Sequence, residues 1–293
     1  MDKYFITTDY TADFPPELAE EDFRILPMSY VLDGKEYDGV NTPYLPIKEF
    51  YSKIAQGSVA TTSRVSLAEA YLFFAEILKL GYDILHISFS SAMSGCLEAY
   101  TAAAERAERD FPGRRVTVID SKCACAGEGL LCYYALRKRG EGASLEENAE
   151  YVTELRDHIG HAFTVDDLYC LHRGGRLSKG AAAVGQAIKL KPILMVDENG
   201  ALTNIANVLG RKIAVRTLVD KMARDSEGVR NDIVFIAHGD CLDDAELLAS
   251  KVNERFGNIR TVITYTGPII GSHCGKGMLA LLYLANNKTD RRI

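Results

Sequence analysis

Leu168-Tyr169-Cys170-Leu171-His172-Arg173-Gly174-Gly175-Arg176-Leu177-Ser178, followed at a short distance by Ile188-Lys189-Leu190-Lys191-Pro192-Ile193-Leu194, is the stretch on which the reading of this chain turns. The first run precedes an expected helix over 181–189, and the second leads into a strand. Paired glycines admit backbone conformations closed to other residues. Arg173 and Arg176 flank them, and an arginine fork suits a carboxylate or a phosphate. The plain explanation of the same residues is a Gly-Gly turn between solvated arginines.

Outward from this stretch, short apolar runs alternate with longer amphipathic ones, the pattern of βα units around a mostly parallel sheet. Towards the N-terminus, strands are expected over 4–8, 84–89 and 116–119. Asp33-Gly34, within 25–38, points to a hairpin with a tight turn. Helices are expected over 47–56, 66–79, 97–109, 128–139 and 145–158. The second of these opens with Ser66 and has Glu69 three residues on, a capping box. Past Gly160 the texture changes, and strands are expected over 162–165, 192–196, 202–208, 233–237 and 261–265. Helices are expected over 214–224, 244–256 and 278–285 as well as 181–189. The expected division is therefore an N-terminal unit of residues 1–160 and a C-terminal unit of residues 161–293.

Composition narrows the function. The 293 residues carry a net charge of −6 with no basic run, so nucleic acid is a poor partner. The start lacks a cationic segment followed by an apolar one, so no signal peptide is expected and the location is read as cytoplasmic. No apolar run approaches the roughly 20 residues of a bilayer span, so no integral membrane segment is expected. The seven cysteines are odd in number and scattered, which argues for reduced thiols over a disulfide framework. Cys123 and Cys125 form a CxC without a matching pair at zinc spacing, so no metal site is expected.

Three polar clusters stand where strands give way to loops or helices, the usual ligand position of an open parallel sheet. They are Thr61-Thr62-Ser63-Arg64-Val65-Ser66, Ser88-Phe89-Ser90-Ser91-Ala92-Met93-Ser94-Gly95, and the run from Gly267 through Ser272-His273-Cys274-Gly275-Lys276 to Gly277. Capping accounts for Ser66 and, equally well, for Ser94. Turn formation accounts for the glycines around His273.

Taken in order, these elements resemble the DegV family, which includes the fatty-acid-binding subunits of bacterial two-component fatty acid kinases. The resemblance is carried by Ile6, Asp9, Thr11, Ala12 and Asp13, then Thr62, Ser63 and Ser66, then Ser90, Ser91, Ser94 and Gly95. It continues through 171–176, 188–194 with one residue inserted, and 270–277. It implies an α/β fold of two unlike domains: a three-layer α/β/α domain with a parallel sheet, then a two-layer α/β domain with a mixed sheet. It also implies a carrier for one long-chain fatty acid bound between the domains, and no catalytic role of its own. The carboxylate would be held by Thr62, Ser63, Ser94 and Gly95, with His273 and, less directly, Arg176. The family's partner kinase subunit would phosphorylate the bound acid to an acyl phosphate. From charge and placement alone, Arg173 and Arg211 are expected to serve docking to it. No cofactor beyond the bound acid is implied.

The energetics agree. A carboxylate taken out of water needs donors to replace its hydration. Hydroxyls and free N–H groups at a helix start supply them. Burying about 14 methylenes at roughly 0.8 kcal/mol each yields on the order of 11 kcal/mol before the costs of binding. The head orients and the tail holds.

Two readings compete with a carrier. The first is an acyl hydrolase or transferase with Ser94 as nucleophile and His273 as base. Ser91-Ala92-Met93-Ser94-Gly95 is not the G-x-S-x-G elbow, and no acidic residue is evidently placed to orient His273, with Asp9 left open. The second is a phosphoryl-transfer enzyme, for which a P-loop is missing. The chain also departs from the family pattern: Arg64 falls beside the presumed head group, Cys96-Leu97-Glu98 follow Gly95, and Lys276 stands in the closing motif.

Overall fold

The structure is a computed structural model that describes residues 4–177, 190–286 and 290–293. Ser178 and the helix expected over 181–189 lie outside the described residues.

The N-terminal half builds a parallel sheet in the order β2-β1-β6-β7 from β1 (Tyr4–Asp9), β2 (Phe23–Leu26), β6 (Asp83–Ser88) and β7 (Val116–Asp120). A small antiparallel sheet of β3 (Tyr30–Leu32), β4 (Lys35–Tyr37) and β5 (Ala60–Thr62) stands beside it. The Asp33-Gly34 turn joins β3 to β4 with both residues at positive φ, as a two-residue hairpin requires. The hairpin is shorter than the 25–38 run suggests: Ile25 belongs to β2 and pairs with Thr8 in the large sheet.

Helices α1 (Ile47–Ala55), α2 (Leu67–Lys79) and α3 (Cys96–Asp110) pack with the small sheet over one side of the parallel sheet. The Ser66/Glu69 capping box forms with both of its hydrogen bonds, at 3.2 and 2.7 Å. Helices α4 (Ala126–Gly140) and α5 (Leu145–Leu155) cover the other side.

The C-terminal half builds a mixed sheet in the order β10-β9-β8-β13-β11-β12. Its strands are β8 (Ile159–Thr164), β9 (Leu190–Val196), β10 (Leu202–Leu209), β11 (Ile233–His238), β12 (Arg260–Tyr265) and β13 (Leu279–Leu284). Its helices are α6 (Leu168–Arg173), α7 (Arg211–Asp225), α8 (Leu242–Phe256) and α9 (Pro268–Cys274). Alternation along the strands serves two cores. Phe163, Phe235, Ala237, Ala280 and Leu282 face the first half, while Ala162, Val234, Ile236, Leu279 and Leu281 face α7 and α8.

One sequence expectation fails. Residues 278–285 form a strand, not a helix. The run is apolar on both faces because β13 lies inside the sheet between β8 and β11. Such a run has no period to distinguish strand from helix, and its leucines and alanines favour the helical choice.

Helix α4 positions everything else. Ten of its residues, from Ala126 to Leu136, are buried, including Leu130 and Leu131 at 0% exposure. A helix buried all round belongs to the interior. Glu128 reaches Thr8 of the parallel sheet at 2.7 Å, and Tyr133 lies 6.0 Å, ring to ring, from Phe235 of the mixed sheet. One apolar core therefore runs from sheet to sheet through α4.

Candidate functional site

A cavity opens where the carboxyl ends of β1 and β6 face the mixed sheet. It encloses about 840 Å³ of space free of protein atoms, part of it open to solvent. One wall carries Thr11, Phe89, Met93 and Cys125 from the loops after β1, after β6 and before α4. The facing wall carries Phe163, Val196, Leu202, Ala280 and Leu282 from the strands of the mixed sheet. Three methionines, Met28, Met93 and Met278, also line it, and their unbranched chains adapt to irregular ligands.

The polar groups gather at one part of this lining: Thr62, Ser63, Arg64, Ser94, Arg176 and His273. They arrive from four separate parts of the chain. Thr62 closes β5, and α9 presents His273, whose Nε2 lies 2.9 Å from Thr62 Oγ1. Ser94 precedes α3, and its Oγ accepts from the backbone N–H of Cys96 at 3.3 Å, while Gly95 itself is the N-cap. Burial, with Arg176 and Arg173 nearby, pushes the His273 imidazole down to about 4, so it is neutral at physiological pH. Its Nδ1 is buried and has no hydrogen-bond partner among the described residues.

The Gly-Gly-Arg segment now has a physical account. Helix α6 ends in a Schellman motif: Gly175 N–H donates to the His172 carbonyl at 2.9 Å, and Arg176 N–H donates to the Leu171 carbonyl at 3.0 Å. Gly175 supplies the positive φ of that motif. Gly174 serves a different need, because a Cβ there would collide with His273 Nδ1. Arg176 then turns back, donating from Nε to the Met93 carbonyl at 3.1 Å and from Nη1 to the Gly174 carbonyl at 2.6 Å. Its guanidinium ties the segment to the loop that bears Ser94. Gly174→Ala is expected to cost about 1–3 kcal/mol and to displace His273, seen as a changed imidazole resonance by NMR; an unaltered resonance would contradict the packing.

Beneath the polar rim lies a buried acidic cluster that sequence reasoning placed only within the opening motif. Thr11 donates to Glu128 at 2.9 Å and also bonds Asp9, while Tyr100 donates to Asp9 at 3.0 Å. Asp13 accepts from Gly267 N–H at 2.7 Å and from the Cys125 thiol at 2.9 Å, so it fastens the first half to the start of α9. Burial pushes all three carboxyls up, Asp13 to about 7. Asp9 is thus committed to Thr11 and Tyr100 and does not orient His273. Ser94 Oγ is within hydrogen-bond distance of Cys96 and not of His273, so no nucleophile–base–acid chain forms.

The remaining sequence candidates lie apart. Arg173 is exposed, 5.8 Å from the ring centre of Tyr169, and does not line the cavity. Arg211, at the start of α7, donates to Asp244 at 2.9 Å and to Cys241 Sγ at 3.3 Å. The tail walls were missed, since the run that supplies Ala280 and Leu282 reads as a helix. Among the described residues no His/Cys/Asp/Glu group is placed to hold a metal ion, and no helix is long and apolar enough to cross a membrane.

The profile of the family described as "Uncharacterised protein, DegV family" matches residues 3–286. The chain belongs to the DegV family. It is 37% identical over 290 residues to a DegV domain-containing protein of Clostridium perfringens, covering 98% of this chain and 99% of that one. Two DegV crystal structures share its fold. One is a fatty acid binding DegV family protein from Streptococcus agalactiae, with TM-score 0.83, 26% identity and coverage of 98% of this chain and 100% of that one. The other is DegV, a fatty acid binding protein from Bacillus subtilis, with TM-score 0.83, 25% identity and coverage of 98% and 100%. The DegV fold thus brings the T-S, S-G and closing histidine motifs to one cavity rim.

Proposed function

We propose that this chain is a fatty-acid carrier working in the cytoplasm, with the ligand between its N-terminal unit of residues 1–160 and its C-terminal unit of residues 161–293. The observation that carries the reading is a largely apolar cavity between two sheets whose polar lining, apart from Thr11 and His161, is Thr62, Ser63, Arg64, Ser94, Arg176 and His273. Relatives that bind fatty acids support it. The carboxylate accepts from Thr62, Ser63 and Ser94 near Gly95, with neutral His273 as a further partner through Thr62. Arg176 acts by holding the loop of Ser94 in place. The tail lies along Phe163, Ala280 and Leu282.

The finer reading is presentation of this carboxylate to a kinase subunit, which converts it to an acyl phosphate, an activated donor suited to phospholipid synthesis. Exposed Arg173 is the docking group of choice. Arg211 contributes less, its charge being engaged by Asp244. The acyl-hydrolase alternative, with Ser94 attacking and His273 as base, lacks the geometry on which it depends.

Native mass spectrometry of the purified protein, followed by identification of the released lipid, tests the carrier reading. A stoichiometric fatty acid is expected. A clean apo protein that also refuses added fatty acid would overturn it. Thr62→Ala and Ser94→Ala are each expected to weaken fatty-acid binding about tenfold, the worth of a hydrogen bond to a charged group, without lowering the melting temperature. Unchanged affinity in both variants would remove the head-group assignment.

A further inference from the structure

We propose that Arg64 is a specificity-determining residue, pairing with the anionic head group so that the site selects a free carboxylate over neutral lipids with the same tail. This rests on the carrier reading. Arg64 lines the cavity beside Thr62, Ser63 and Ser94. It also lines an outer groove with Ser66, Gly95 and Glu98. It therefore stands between the buried chamber and the solvent side, where the head of a tail-first ligand comes to rest.

Three observations set Arg64 apart from an ordinary solvated arginine. Among the described residues its guanidinium has no hydrogen-bond or ion-pair partner, whereas Arg176 on the same rim is committed to two backbone carbonyls. Glu98, the acidic group of the outer groove, is not paired with it. The third is Gly95: a Cβ there would stand 2.7 Å from Arg64 Nη1 and 3.3 Å from its Cδ. The bare glycine lets the arginine lie across the start of α3. A guanidinium with all its N–H groups free, on the same cavity lining as the Thr62, Ser63 and Ser94 hydroxyls, offers the two parallel bonds that a carboxylate accepts best. A neutral alcohol or ester offers neither the charge nor the second oxygen. Arg64 is exposed, so solvent screening holds the effect to about tenfold in affinity.

The test compares oleate with oleyl alcohol by fluorescence displacement at low and high salt, for the full chain and its Arg64→Gln and Arg64→Lys variants. Arg64→Gln is expected to bind oleate about tenfold more weakly, to bind oleyl alcohol unchanged, and to lose the salt dependence of oleate binding. Arg64→Lys restores part of the affinity and all of the salt dependence. Equal losses for acid and alcohol, or no loss for either, would overturn the assignment of Arg64 while leaving the carrier reading intact. A wild-type protein that binds neither oleate nor oleyl alcohol would overturn both.

Discussion

Leu130→Ala is expected to destabilise the protein by about 3–4 kcal/mol, measured by urea denaturation with circular dichroism as the probe, since the chain has no tryptophan. Leu130 is at 0% exposure on a helix that is part of a core reaching both sheets. Truncating it removes the transfer free energy of three carbons and leaves a void. The cost of such a void depends on how far the surroundings collapse into it. Here they collapse little: backbone-bonded strands lie on both sides, and Gly127 and Gly129 on the same helix leave no slack. A Cβ at Gly127 would collide with His161, and one at Gly129 would stand 2.5 Å from the Ala12 carbonyl. A loss below 1 kcal/mol would mean that α4 is not held as described.

Asp13→Asn is expected to change how stability depends on pH. In the folded protein burial raises the Asp13 carboxyl to about 7, against an ordinary value near 4 in the unfolded chain. The folded state therefore holds a proton that the unfolded state releases. That contribution is fully present below about pH 4 and is lost as pH rises through about 7. Asparagine keeps the shape and removes the titration. The variant's stability relative to wild type should then climb between pH 4 and pH 8, by on the order of 4 kcal/mol at most. His273 works in the opposite sense, since its imidazole is depressed to about 4 and its contribution fades as pH falls from about 6.5 to 4. Comparing variant with wild type at each pH cancels the histidine. A difference that stays flat from pH 4 to 8 would show that Asp13 is ionised throughout.

How much of this was legible in the sequence follows from which interactions are local. The Ser66/Glu69 box, the Asp33-Gly34 turn and the amphipathic helices are decided within a few residues, and they stand close to where pattern and capping put them. The rim residues were legible as a set because Thr62, Ser94 and His273 sit in motifs of recognisable spacing. Their meeting was not, because β5, the loop before α3 and α9 are brought together by the tertiary fold alone. Residues 278–285 misled because a strand buried on both faces carries no period. Gly174 was legible only as a turn former. That it makes room for a histidine 99 positions away, at His273, is a fact of packing. The acidic cluster stayed hidden for a related reason: Asp9 and Asp13 were legible only as part of the opening motif, and Glu128 arrives from another helix to meet Thr11.

Helix α4 makes the two halves inseparable neighbours. A chain severed after residue 158 would leave the first half with the Tyr133 side of α4 bare, and the second with Phe163 and Phe235 uncovered. Exposed apolar faces of that kind seek one another or aggregate. The molecule is thus less a pair of jaws than a keyed joint, with α4 as the key. Parting the two sheets would mean drawing that key.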